Sequence, residues 1–358
     1  MIHSIYASTD TSLYEYYPTK NTGLDEILDL SKLIVSSSLY NNRALIKFDL
    51  SQISQSIVSG TITNPKFYLN IYTADIKEVP YQYNIEVYPV SQSWQTGNGR
   101  YRNQPQTVYG SSWKNRSNTE ASTVEWTTSS FNANTTGGAT GGGTWFTNYN
   151  CTQSYNVSNA DIRIEITSIV NDWLNGTLQN EGLIVKKSAA DEQSTAKFET
   201  LQYFSSDSQT VYTPKLEVAW DNSVFVTGSL TQPSNEKELV LYTPNLKKEY
   251  SEMSKARINL RVREKYPTIT FATQSNYLTV NYLPTSSLYY SVRYADTNET
   301  VIPFDSTYTK VSCTSSGNFF DMWMGGLYAE KYYKFVFKVV RDGIEDYYDN
   351  NYIFKVIK

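Results

Sequence analysis

Apolar and polar residues alternate with a period of two along most of this chain. In RALIKFDL (43–50), Ala44, Ile46, Phe48 and Leu50 fall on one face, and Arg43, Lys47 and Asp49 on the other. That is the signature of a strand with one face in a core and one in water, so Arg43 is expected outward. KFYLNIY repeats it with Phe67, Leu69 and Ile71, NIEVYPV with Ile85 and Val87, and DIRIEI with Ile162, Ile164 and Ile166. LEVAW (216–220) closes this series just after Pro214. Alternation resumes from Leu239 onward. Ile258, Leu260 and Val262 form one row, Leu278 and Val280 a second, Tyr333, Phe335, Phe337 and Val339 a third, and Tyr352, Phe354 and Val356 a fourth.

Two stretches break the pattern. Ile166, Ile169, Val170, Trp173 and Leu174 recur at helical spacing and make one apolar helix face. Thr167 or Ser168 can cap its start, and Gly176 suits the left-handed position after its end. This short helix is expected to close one end of a β-sandwich. Between Trp94 and Trp145 alternation fades into Tyr, Trp, Ser and Asn, with the glycine-rich NANTTGGATGGG at 132–143. Such a composition reads as a flexible insertion, expected to order only on assembly with a partner.

Composition narrows the class. The 358 residues are 15% aromatic, with 31 Tyr, and only 18% charged. Tyr and Thr favour strands and Asn and Ser favour turns, so the chain reads as all-β. Net charge is −4, which offers phosphate backbones no general attraction, so no nucleic-acid partner is expected. No apolar run approaches the ~18 residues of a membrane span, and the first residues lack the features of a signal peptide. Two cysteines, Cys151 and Cys313, make no disulfide framework and fit free thiols in a reducing compartment.

Candidate chemistry is sparse. The single histidine, His3, stands at the start of the chain, where a catalytic triad is not expected. Clusters of His and Cys suited to zinc are missing from the sequence, as are phosphate-cradling glycine loops. The scattered acids read as solvated strand faces rather than a glycosidase pair. GIEDYYDNN (343–351) lacks calcium-loop spacing and reads as a polar hairpin turn. No catalytic residue, cofactor or metal is expected, and the chain is read as non-enzymatic. Interfaces and sugar sites both favour Tyr and Trp, which makes Trp94, Tyr101, Trp113, Trp126 and Trp145 candidate interface or glycan contacts, with packing anchors as the alternative for each Trp. Arg257, Arg261 and Arg263 share one face of RINLRVRE and are either solvated or an arginine stripe for an acidic neighbour.

An ordered set of segments carries a resemblance over residues 1–220. RALIKFDL, a Trp-bearing loop, ITSIVNDWLNGTLQNEGLIVKKS, Phe-Ser-Ser-Asp at 204–207 and PKLEVAW resemble the DNRLRE-type jelly-roll β-sandwich, related to carbohydrate-binding modules. Asp207 stands where that family commonly has Glu, and the 95–155 insertion is longer and more aromatic. At whole-chain level SIYASTDTSLYEYYPTKNTGLDEILDL, SQSWQTGNGRY, REKYPT, YYSVRYADTNETVIPFD and FKVV are similar to virion structural proteins of contractile-tailed marine phages of the cyanophage type. The expected architecture is an N-terminal jelly-roll-like β-sandwich with one short helix (1–220), a polar linker (221–238) and an immunoglobulin-like β-sandwich (239–358). The resemblance implies a structural virion component, made in the host cytoplasm and placed at the neck or collar, baseplate or fibre attachment. Its partners would be other virion proteins and copies of itself in a symmetric array. Recognition of host-surface polysaccharide is the alternative.

Overall fold

The computed structural model describes residues 1–77, 82–156, 161–196, 199–235, 237–267 and 280–358. These form two compact units, Ile5–Ser59 with Lys66–Glu217, and Met1–Ser4 with Gly60–Pro65 and Val218–Lys358. Both are built of β-sheets, as the period-two pattern requires.

The first unit is organised by a nine-stranded sheet. Its strands run in the order Cys151–Tyr155, Tyr83–Pro89, Leu183–Lys187, Ser38–Phe48, Ile2–Tyr14, Lys215–Ala219, Lys66–Ile71 and Ile162–Glu165, with Lys32–Val35 paired to Ser38–Phe48. The two end strands approach each other: Arg163 N–H donates to Gln153 Oε1 (2.8 Å) and Gln153 Nε2 to the Asp161 carbonyl (3.2 Å). The sheet is therefore nearly closed and barrel-like. A three-stranded antiparallel sheet, Ile27–Asp29, Thr200–Phe204 and Thr73–Lys77, completes the unit. Directly opposed residues share a face, and the register sets Ala44 against Val185, Val185 against Val87, and Ile46 against Leu183. All are buried, as are Phe48, Phe67, Leu69, Ile71, Ile85, Ile162 and Ile164. This is the inner core that the alternation specified.

The outer face is not open to water. Leu13, Leu45 and Ile184 project from it and pack against Val90, Trp113 and Trp126, flanked by Tyr88, Trp94 and Trp145. The aromatic segment thus folds back over its own sheet. Covering both faces explains why every residue of LIVKK (183–187) is buried, a pattern that one-sided burial cannot produce. A fully buried indole removes about 150–250 Å² from water, which at ~25 cal/mol/Å² is worth roughly 4–6 kcal/mol.

Two expectations are corrected here. Arg43 is buried rather than outward, because its face lies beneath the aromatic segment and Glu192 neutralises it. The glycine-rich 132–143 segment is ordered within the single chain: Thr135–Gly137 pairs with Thr144–Phe146, and Gly142 N–H donates to the Trp113 carbonyl (2.6 Å). Its glycines permit close approach, since a Cβ on Gly141 would stand 2.3 Å from the Trp113 carbonyl oxygen.

The expected helix is Thr167–Leu174, with Ile169, Val170 and Trp173 buried and Gly176 at φ +74°. Its capping differs from expectation. Ile166 occupies the cap position without a side-chain bond, and the Thr167 hydroxyl accepts instead from Phe67 N–H (3.0 Å) and donates to Glu165 (2.9 Å). Two further helices, Ser51–Val58 and Ala189–Gln193, accompany it. The Ser188 hydroxyl caps the latter by accepting from Asp191 N–H (3.2 Å).

The second unit is a two-sheet sandwich. One sheet orders Leu239–Tyr242, Lys255–Glu264, Gly317–Trp323 and Ser312–Thr314. The other orders Glu249–Ser251, Ile344–Ile357, Lys331–Arg341, Leu288–Tyr294 and Thr300–Ile302. Aromatic rings join them, with Tyr290 stacked on Phe320 at 4.3 Å, Phe320 edge-on to Phe335 at 5.1 Å, and Phe335 stacked on Phe354 at 4.7 Å. Leu278 lies outside the described residues, and Val280 is half-buried. Within 221–238, Phe225 bridges Cys313 and Thr231 bridges Asn281. His3 is buried in this unit, its ring edge-on to Trp323 at 5.6 Å. Asp342-Gly343 forms the tight turn of the last hairpin, both residues at positive φ, as such turns require. The acids that follow lie along the strand and pair with Lys338, Arg341 and Lys334.

Candidate functional site

A cleft of about 620 Å³ opens in the first unit, within the range of small-ligand sites. Tyr14 comes from the end of the strand Ile2–Tyr14. Asp25 and Glu26 precede the strand Ile27–Asp29, which supplies Ile27 and Asp29, and Ser31 and Leu33 follow it. Thr200 and Gln202 lie on Thr200–Phe204, and Arg100, Tyr101 and Arg102 on the loop after Trp94.

The polar groups of the lining are held in place. Asp25 accepts from the backbone N–H groups of Glu26 (Oδ1, 3.2 Å) and Tyr101 (Oδ2, 3.2 Å), while Asp29 Oδ1 accepts from Ser31 N–H (2.7 Å). Arg100 pairs with Glu26 at 3.0 Å in an exposed position, an interaction of little energy that leaves both groups free to re-pair. Tyr101 is half-buried in an aromatic group, 5.0 Å from Tyr14 and 6.0 Å from Tyr17. Lys20 Nζ sits over the Tyr17 and Tyr101 rings at 3.8 and 4.2 Å and donates to the Tyr101 carbonyl. Burial raises the Asp25 carboxyl above its ordinary range against the pull of its two amide donors. Burial, with Tyr17 beside it, pushes the Tyr101 hydroxyl up to about 12. At neutral pH that phenol is a neutral donor and acceptor. Carboxylates, guanidinium groups, an amide and a phenol around one hollow can bond the hydroxyl groups of a polyol from several sides.

The other sequence candidates lie elsewhere. Trp113 and Trp126 are 3% exposed, and their indole N–H groups donate to Thr140 Oγ1 (3.2 Å) and the Ser112 carbonyl (2.9 Å). Both are packed into the aromatic cluster against Leu13, Leu45 and Ile184. Trp94 is half-buried and donates to the Glu181 carbonyl (2.8 Å). Trp145 is also half-buried, with Arg43 at 5.1 Å, Lys186 at 5.6 Å and Tyr88 at 6.2 Å. In the second unit, Arg257 is exposed, makes a bidentate pair with Asp321 (2.7 and 2.8 Å) and lies over Phe319 at 4.1 Å. Arg261 and Arg263 are half-buried, and Arg263 donates to the Glu264 carbonyl (3.2 Å). Of these eight, Tyr101 is the one that lines the 620 Å³ cleft.

That unit has its own hollow of about 430 Å³, lined in part by Lys237, Glu238, Lys265, Arg341 and Asp346. Its cations are paired, Lys237 with Glu264, Lys265 with Glu238 and Arg341 with Asp346. Among the described residues no group of three or more His, Cys, Asp or Glu is placed to hold a metal ion.

Sequence reasoning missed Asp25, Glu26, Asp29, Arg100, Arg102 and Gln202. Each is an ordinary polar residue in a short strand or loop, and segments distant in sequence meet to make the lining. The one local hint is the glycine-bracketed TGNGRY (96–101), whose tight backbone sets Tyr101.

Residues 2–146 match the family model of carbohydrate-binding module family 96. The match takes in the whole lining of the cleft except Thr200 and Gln202. A comparison with curated proteins returns no match.

Proposed function

We propose that the first unit is a carbohydrate-binding β-sandwich and that the cleft around Tyr101 receives the glycan. The observation that carries this reading is the coincidence of that cleft, lined by Tyr101 and hydrogen-bonding side chains, with the segment similar to a carbohydrate-binding module family. The reading assigns the chain no catalysis. Affinity electrophoresis against neutral β-glucan, mannan and polyuronate gels tests it. Wild-type protein is expected to be retarded by at least one gel, and Tyr101→Ala to lose about tenfold or more in affinity, as aromatic site residues generally do. Tyr101→Ala binding like wild type would move the site elsewhere, and a wild type that no polysaccharide retards would refute the reading.

The resemblance of segments such as SQSWQTGNGRY and REKYPT to virion structural proteins of contractile-tailed marine phages is the ground for proposing a setting for this activity. In that setting the chain is a multi-copy particle component that contacts other virion proteins and presents the cleft to host-surface polysaccharide. Burial of Trp113 and Trp126 against the sheet removes both as contacts for a partner or a glycan and leaves Tyr101 as the sequence candidate at the cleft. Immunogold labelling at one fixed site on intact particles is the expected result, and signal confined to particle-free lysate would reject the setting.

A further inference from the structure

We infer that Asn21, outside the cleft lining and fully buried, is the positioning residue that sets the cleft wall carrying Arg100, Tyr101 and Arg102. The inference rests on the reading of the cleft as a glycan site. A primary amide can donate twice and accept twice, and Asn21 does all four. Its Nδ2 donates to the carbonyls of Thr96 (2.6 Å) and Ser111 (2.8 Å), and its Oδ1 accepts from the N–H groups of Gly23 (3.2 Å) and Gly99 (2.8 Å). Its backbone N–H adds a bond to the Thr107 carbonyl (2.9 Å). One side chain thus ties the loop at 96 and 99 to its return at 111, and both to the segment leading into Asp25.

The glycines around it show how tightly the loop is set. A Cβ on Gly99 would stand 2.2 Å from the Asn21 carbonyl oxygen, and one on Gly110 (φ +106°) 2.6 Å from Nδ2. Only bare backbone fits against this amide, so the loop cannot shift without breaking its bonds. Arg100 follows Gly99 directly, and the Leu24 N–H donates to the Gly99 carbonyl (2.9 Å). The geometry of Arg100 and Tyr101 against Asp25 therefore descends from Asn21. Aspartate at this position has nearly the same shape but no donors, and it would face the Thr96 and Ser111 carbonyls with lone pairs.

The test compares wild type, Asn21→Asp and Gly99→Ala by hydrogen exchange and by affinity electrophoresis in the same three polysaccharide gels. Both variants are expected to exchange faster at 95–111 and 21–26, with the nine-stranded sheet unchanged, and to bind about tenfold more weakly or worse. A supporting shell loosened by about an ångström has effects of this kind. Loop exchange and affinity both at wild-type values would overturn the inference, as would acceleration throughout the unit, which marks a general loss of stability. A changed loop with unchanged affinity would also overturn it. If no gel retards wild type, the glycan reading fails by itself, and the exchange arm still decides whether Asn21 holds the loop.

Discussion

Replacing Arg43 with alanine is the sharpest probe of how the aromatic segment is held on its sheet. The Arg43 and Glu192 side chains are 7% and 10% exposed and form a bidentate pair, with both N···O distances 2.9 Å. Nη1 donates to the Gly142 carbonyl (2.8 Å), and the guanidinium lies 4.9 Å from the Trp113 ring and 5.1 Å from Trp145. Removing the arginine leaves Glu192 buried with Lys186, 3.7 Å away, as its nearest remaining ion-pair partner. Breaking one side of a buried pair costs about 3–5 kcal/mol. The two cation–π contacts would nominally add ~0.5–2 kcal/mol each, but groups in one network do not sum, so we expect about 3–5 kcal/mol in all. For a unit of this size that lowers the melting temperature by roughly 6–20 °C. Urea unfolding followed by tryptophan fluorescence measures it, since Trp113 and Trp145 flank the guanidinium. The double variant Arg43→Met/Glu192→Met should cost much less than the sum of its singles, because neither charge is then stranded. A cost below about 1 kcal/mol for Arg43→Ala, or additive singles, would refute the account. Acid adds a second check. Burial alone would raise the Glu192 carboxyl, but Arg43 with Lys186 and Lys187 holds it below its usual range. This stability is complete above the unfolded value near 4.3 and is lost as pH falls through the lower folded value.

Two further outcomes are expected. Asp10 points into the inner core, accepts from Ser206 N–H (2.7 Å), and is raised by burial to about 7. Its contribution is complete below the unfolded value near 3.9 and is lost as pH rises toward 7. Asp10→Asn should therefore match wild type at pH 3.5 and exceed it by on the order of a few kcal/mol at pH 8, and equal stabilities at pH 8 would refute this. Gly343→Ala should cost about 1 kcal/mol from backbone strain alone, because its φ is +79° and a Cβ there would meet nothing within 4 Å. Thermal melts of the two forms that coincide would show that the turn relaxes.

Much of the fold was legible because alternation is a local property. Ala44, Ile46 and Phe48, or Tyr333, Phe335 and Phe337, declare their common face from spacing alone, and Ile166 to Trp173 declare a helix. The cap was misread because Thr167 found a better partner in Phe67, on a strand about a hundred residues earlier. At the candidate site only Tyr101 was legible, through its residue type.

The sequence by itself determined most of the core strands and their inward faces, and the helix Thr167–Leu174, because each depends on neighbours two to four positions away. The tertiary structure alone decided what became of the outward faces. Arg43 reads as a solvent-facing residue until Trp113, Trp145 and Gly142 are folded over it. Asp25, Arg100 and Gln202 read as surface residues until segments distant in sequence meet around them. Burial and electrostatics are set by whatever lies within a few ångströms, and in a β-sandwich that neighbour is usually far along the chain.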